Sequence, residues 1–98
     1  MDKIFEVLDK SGRKVRLTKK QWLHISKKHP AVSQYLEEIK ETLKYPDSIT
    51  DTSPDENIRY YYKHYKHLKS PYKYILIIVK YLNNHGFVIS AYFEKTIK

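Results

Sequence analysis

Lys73-Tyr-Ile-Leu-Ile-Ile-Val-Lys-Tyr81, followed beyond Asn83-Asn84-His85-Gly86 by Phe87-Val-Ile-Ser-Ala-Tyr-Phe93, is the stretch that decides the fold. Its apolar run, Tyr74 to Val79, is far short of the roughly 20 residues a membrane-spanning helix needs, and it is rich in β-branched residues, so it predicts a buried strand. Asn and Gly tolerate the positive φ of tight turns, which joins the two segments as a hairpin. Period-two alternation puts Ile75, Ile77 and Val79 on one face, matched by Phe87, Ile89 and Ala91, and this side must pack on helices. The opposite side then carries Leu76, Ile78 and Lys80 with Val88, Ser90 and Tyr92.

Upstream, Ile58 to Tyr65 reads as a neighbouring strand. Ile58, Tyr60 and Tyr62 suit its core side, which leaves Arg59, Tyr61, Lys63 and Tyr65 to join Lys80 and Tyr92 on a cationic, hydroxyl-bearing face. Tyrosine is a good strand former, and half of these rings must fill the core. The outward half, with Tyr61 and Tyr65 beside Arg59 and Lys63, matches a stacking platform flanked by phosphate ligands.

Further toward the N-terminus the spacing predicts a hairpin and two helices. Ile4, Phe5, Val7 and Leu8 suggest a strand, Asp9-Lys10-Ser11-Gly12 a turn, and Val15 and Leu17 a second strand. Thr18 is placed as the N-cap of a helix, with Gln21 completing a capping-box pattern, and Pro30 stops that helix just after His29. A second helix starts near Val32, its apolar stripe being Val32, Leu36, Ile39 and Leu43, and Tyr45-Pro46-Asp47 closes it. Ser48 to Thr52 is a candidate short strand. The expected fold is α+β: an N-terminal hairpin and two helices on one face of a roughly four-stranded antiparallel sheet.

Composition narrows the class of partner. With 98 residues, 41% of them hydrophobic, residues 1–98 can bury one modest core and form one domain. The net charge is +8 and the isoelectric point about 9.6. The eight Lys and Arg between Lys10 and Leu36 have no acid among them, and neither does the stretch from Asn57 to Phe93, which holds six cations and eight of the ten tyrosines. Clustered cations beside aromatic rings fit a phosphate backbone and unpaired bases, so nucleic acid, RNA or DNA, is the first partner expected. No membrane partner is expected. A chain with neither an N-terminal signal pattern nor a cysteine fits a cytoplasmic location.

His24 and His29 are the candidates for acid–base work, since imidazole titrates near neutral pH. Five residues of helix turn them about 140° apart, so they do not chelate one metal from a single face. The bland alternative makes His24 a half-buried structural residue and His29 a helix-end cap. His64 and His67 lack a carboxylate or cysteine to complete a metal set, and Asp47, Asp51, Asp55 and Glu56 lack calcium-loop spacing. No metal or other cofactor is expected.

Taken in order, Val15-Arg-Leu-Thr18, Trp22-Leu-His24-Ile25 with Lys28-His29-Pro30, Leu43-Lys-Tyr-Pro46-Asp47, Tyr60-Tyr-Tyr-Lys63, Ile78-Val-Lys80 and Phe87-Val-Ile-Ser90-Ala-Tyr92 span nearly the whole chain. Together they resemble the phage-type branch of the barnase/EndoU/colicin/RelE superfamily. That resemblance implies helices packed on a four-stranded antiparallel sheet whose open face holds the active site. It also implies a toxin-like, metal-independent endoribonuclease. Carried over, His24 and His29 match the family's helix histidines, Lys63 a basic strand position, Lys80 the basic end of a strand, and Ser90 and Tyr92 a last-strand Thr-Ala-Tyr pattern. Ser90 replaces the usual Thr but keeps the hydroxyl, and Ala31 replaces an acid that often follows His-Pro.

The expected mechanism is attack of a ribose 2′-hydroxyl on its own 3′-phosphate. His24, or failing it His29, moves protons, Lys80 with Lys63 or Arg59 stabilises charge, and Ser90 and Tyr92 position the phosphate. Rival readings are a non-catalytic RNA-binding or ribosome-associated module, and a toxin-like domain that binds a protein such as gyrase. An antitoxin or immunity protein is a further partner that the resemblance leaves open.

Overall fold

A computed structural model describes residues 2–68 and 71–98; Lys69, one of the cations counted above, lies outside them. Strands β1 (Lys3–Leu8) and β2 (Lys14–Thr18) form the N-terminal hairpin, followed by α1 (Lys19–Lys28), a 3₁₀ turn (Pro30–Gln34), α2 (Leu36–Lys44), β3 (Ser48–Thr50), β4 (Ile58–His64), β5 (Tyr74–Leu82) and β6 (His85–Glu94). Thr18 caps α1 as expected, its hydroxyl accepting from the Gln21 N–H at 3.1 Å. The expected second helix is split: Pro30 opens a 3₁₀ turn, and Tyr35, at φ −116° and ψ 33°, breaks it from α2. The apolar stripe survives the break, because Val32, Ile39 and Leu43 are all buried.

The sheet is larger than expected and mixed. Its six strands run β1-β2-β6-β5-β4-β3, and every pairing is antiparallel except β2 with β6. The four antiparallel strands β3 to β6 are therefore extended by the N-terminal hairpin, which adds to the β6 edge through Lys14–Arg16 against His85–Phe87. Val15, Leu17 and Phe5 are buried in the same core as Ile75, Ile77 and Val79, a burial that a detached hairpin could not give them. Gly86 makes the junction possible: a Cβ there would stand 2.7 Å from Val15 Cγ2 and 2.9 Å from Tyr81 Cε1. Asn83 and Asn84, at φ 53° and 66°, supply the two left-handed residues of the β5–β6 turn.

Two of the expected faces are corrected. In β6 a bulge at Ile89 shifts the register between Ile78 and Val79, so that Val88 pairs with Val79 and Phe87 with Lys80. Ala91 stays on the helix side with Val88, but Phe87 turns to the face of Lys80. In β4 the assignment is inverted: Tyr61 pairs with Ile77 and Lys63 with Ile75, which places Arg59, Tyr61 and Lys63 on the helix side, while Ile58, Tyr60 and Tyr62 share a face with Lys80, Ile78 and Leu76. Acceptors explain the choice. The Tyr61 hydroxyl reaches Asp9 Oδ2 at 2.9 Å, and the Tyr65 hydroxyl reaches Glu41 Oε1 at 2.7 Å, so both rings bury with their polar tips paired.

Among the described residues, no helix is long and apolar enough to cross a membrane.

Candidate active site

Beyond Phe87, β6 is no longer paired with β2, and α1 runs along it instead. The Gln21 amide donates to the Ile89 carbonyl at 2.8 Å, pinning the helix to the bulge. This brings the end of α1 to the rim of the sheet face opposite the core. There the His29 ring stacks on Tyr92, with centroids 4.9 Å apart and planes 24° from parallel. The His29 N–H closes the helix on the Ile25 carbonyl at 2.7 Å, so backbone and ring are both held. Burial lowers the His29 pKa below 6.5, with Lys28 and His24 adding in the same direction, which favours the neutral imidazole. Burial raises that of Tyr92, with Glu94, Tyr62 and Tyr60 adding, so its hydroxyl stays a donor.

Strand register orders the rest of this face into three rows. Tyr62, Leu76 and Tyr92 form the first, Tyr60, Ile78 and Ser90 the second, and Ile58, Lys80 and Phe87 the third. Arg16 flanks Phe87, its guanidinium 5.4 Å from the ring centre. Rows lie about 7 Å apart, two residues of strand each. His29, Tyr92 and Ser90 are thus neighbours along β6, whereas Lys80 is two rows away and ion-paired to Asp55 at 3.1 Å. Burial keeps the Tyr62 hydroxyl protonated. Tyr62 and Leu76 of the first row are buried, whereas Tyr92 and the second and third rows are partly open.

The other expected residues lie elsewhere. His24 is exposed on α1, near enough to His29 to depress its charging. Lys63 donates to the Tyr45 carbonyl at 2.8 Å beyond the end of α2, and Arg59 binds the Glu56 and Ile58 carbonyls at 2.7 and 2.8 Å. Tyr61 and Tyr65 are core residues and present no ring to a base. Two open-face residues, Arg16 and Tyr60, were missed. Arg16 was legible from its place between Val15 and Leu17, which fixes it opposite the core; Tyr60 was lost with the β4 face.

Among the described residues, no group of three or more His, Cys, Asp or Glu is placed to hold a metal ion. His64 packs edge-on against Tyr74 with centroids 5.2 Å apart, and His67 lies 3.8 Å from Glu38.

A small α+β domain that sets a helix-end imidazole against a phenol, beside a sheet face carrying hydroxyls and cations, has the groups for proton transfer next to an anion. The chain belongs to the phage-Barnase-EndoU-ColicinE5/D-RelE like nuclease2 family, PBECR2, whose model matches residues 2–98. It is accordingly a nuclease-like domain over nearly its whole length. Searches of curated proteins and of solved structures returned no match.

Proposed function

We propose that this domain is a toxin-like endoribonuclease that cleaves RNA without a metal. The nucleophile is the ribose 2′-hydroxyl: its oxygen bonds to the adjacent phosphorus, the bond to the 5′-oxygen breaks, and a 2′,3′-cyclic phosphate remains. His29 takes the 2′-hydroxyl proton, and His24 returns a proton to the departing 5′-oxygen. Tyr92 and Ser90 donate hydrogen bonds to the scissile phosphate, while Arg16 and Lys80, two rows away, meet the phosphates of neighbouring nucleotides. The observation that carries this reading is the His29–Tyr92 stack, which holds a neutral imidazole beside a protonated phenol.

The test is incubation of the purified protein with total RNA in EDTA. Discrete products with cyclic phosphate ends are expected, and 2′-deoxyribose at the cut site should abolish them. Cutting of that deoxy substrate, or a strict magnesium requirement, overturns the mechanism.

A non-catalytic RNA-binding module is the second reading, favoured by one observation: Lys80 is held by Asp55 and does not converge on His29. His29→Gln separates the two. A nuclease loses cleavage by roughly 10²-fold with RNA affinity kept, whereas a binding module has no cleavage to lose. An antitoxin or immunity protein, if one acts on this chain, would block the same basic face.

A further inference from the structure

Beside His29 the surface opens into two adjoining clefts of about 350 and 360 Å³. Pro30, Ala31, Tyr72 and Phe93 line both; one also has His29, Tyr92 and Val32, and the other Gln34, Tyr35 and the apolar Leu68 and Pro71. Phe93 is fixed, because Tyr35 packs edge-on against it with centroids 5.3 Å apart. Tyr72, at the mouth, is 45% exposed. Lys95 Nζ lies 5.4 Å from its ring centre, Lys28 borders the His29 side, and among the described residues no acid lines either cleft.

We propose that these clefts are a nucleobase subsite, in which the base next to the scissile phosphate stacks on Tyr72 while Gln34 meets its edge. The inference rests on the ribonuclease reading and deepens it. Three features favour a base over an apolar peptide. The rings of Tyr72 and Phe93 stand in both clefts beside aliphatic and proline walls, and every base offers a π-face for stacking. The rim is cationic, which suits the phosphates on either side of a bound base. The cleft is also continuous with the His29–Tyr92 stack, so a nucleotide held at its phosphate by Tyr92 has its base within reach of Tyr72. The Gln34 amide carries both donor and acceptor and is thereby able to read a base edge. The volumes fall within the range of small-ligand sites.

The experiment uses a single-stranded RNA 12-mer carrying 2-aminopurine at successive positions, with 2′-deoxyribose at every nucleotide flanking a possible cut, bound to the His29→Gln variant of this chain so that it is not cut. Quenching at one position is expected, because stacking on an aromatic ring quenches this fluorophore. Tyr72→Ala should remove the quench and weaken binding about tenfold, within the range for loss of one base–aromatic stack, whereas Tyr72→Phe should keep both. In the active protein, Tyr72→Ala should raise KM more than it lowers kcat, and Gln34→Ala should alter base preference at a single position. RNA that is bound and cut normally by Tyr72→Ala overturns the subsite and leaves the nuclease reading intact. Failure of any RNA to bind removes both. A concentration-dependent mass in ultracentrifugation that Tyr72→Ala abolishes would assign the cleft to self-association, and overturn the subsite.

Discussion

Tyr61 and Tyr62 are consecutive residues of β4, are each 1% exposed, and are buried on opposite faces of the sheet. Tyr61 enters the main core, where its hydroxyl and that of Tyr81 converge on Asp9. Tyr62 is buried on the other side, in the row it shares with Leu76 and Tyr92. The strand is clamped from both sides, which fixes the register that sets Tyr60, Ser90 and Lys80 on one surface.

The Asp9 network should be a principal determinant of stability. Asp9 Oδ1 accepts from the Ser11 N–H, the Ser11 hydroxyl and the Arg13 N–H at 2.8, 2.6 and 3.0 Å. Burial pushes the Asp9 pKa up, but these bonds and the two phenols outweigh it and hold it below 3.8. Burial pushes Tyr61 up to about 12, keeping it a donor. A depressed carboxylate contributes stability above its unfolded pKa, and that contribution is lost as pH falls through the folded value. Asp9→Asn should therefore cost about 2–3 kcal/mol at neutral pH, by leaving buried donors unpaired. Urea unfolding should show the gap to wild type narrowing below pH 3.8; a gap independent of pH would exclude the carboxylate as its source.

Gly86→Ala should loosen the β2–β6 junction. Its Cβ meets Val15, Tyr81 and Val79 at 2.7, 2.9 and 3.0 Å, all side chains of a closed core. A destabilisation of about 1–3 kcal/mol is expected from overpacking. Val15→Ala clears the nearest contact, so the double variant should be more stable than the sum of the single effects allows. Strict additivity in thermal or urea unfolding would place the strain elsewhere.

Asp55→Asn should tighten RNA binding. Asp55 holds Lys80 at 3.1 Å, and its own pKa is lowered by the Asn57 N–H and by Lys80. Removing the carboxylate frees one cation on the open face. A few-fold gain in affinity is expected with a salt slope steeper by about 0.7, the contribution of one single-strand phosphate contact. An unchanged slope in fluorescence anisotropy would show that Lys80 does not meet phosphate.

Elements were legible in the sequence wherever one signal dominated. The β5 run, the Thr18 cap and the Asn83-Asn84 turn each had a local cause and lie where that cause put them. Sidedness was harder. In Arg59-Tyr-Tyr-Tyr-Lys63 both alternating sets hold amphipathic residues, and the deciding acceptors, Asp9 and Glu41, are remote in sequence. The bulge at Ile89 also shifts the faces of Phe87 and Val88, and no glycine or proline marks it. Parallel addition of β2 to β6 depends on Val15 meeting Gly86, a contact across 71 positions. Of the candidate residues, His29 and Tyr92 come together with Ser90 two residues along the strand, because the end of α1 and the last residues of β6 lie where their local signals put them; Lys63, Arg59, Tyr61 and Tyr65 followed the inverted face.

The pH profile tests His29 most directly. Its imidazole is held below 6.5 by burial, by Lys28 and by His24. A general base works in its deprotonated form, so the acid limb of kcat/KM, on which activity falls as His29 gains a proton, should lie below pH 6.5, while the general acid sets the alkaline limb. Lys28→Gln removes one of the depressing charges and should move that limb upward, toward 6.5, whatever it does to KM. His29→Gln should abolish the limb together with at least about 10²-fold of the rate, while thermal unfolding stays close to wild type because the ring lies at the rim of the sheet. A limb at or above 6.5 that ignores Lys28→Gln would assign the base to another group. His24, exposed on the same helix, would then be the residue to replace.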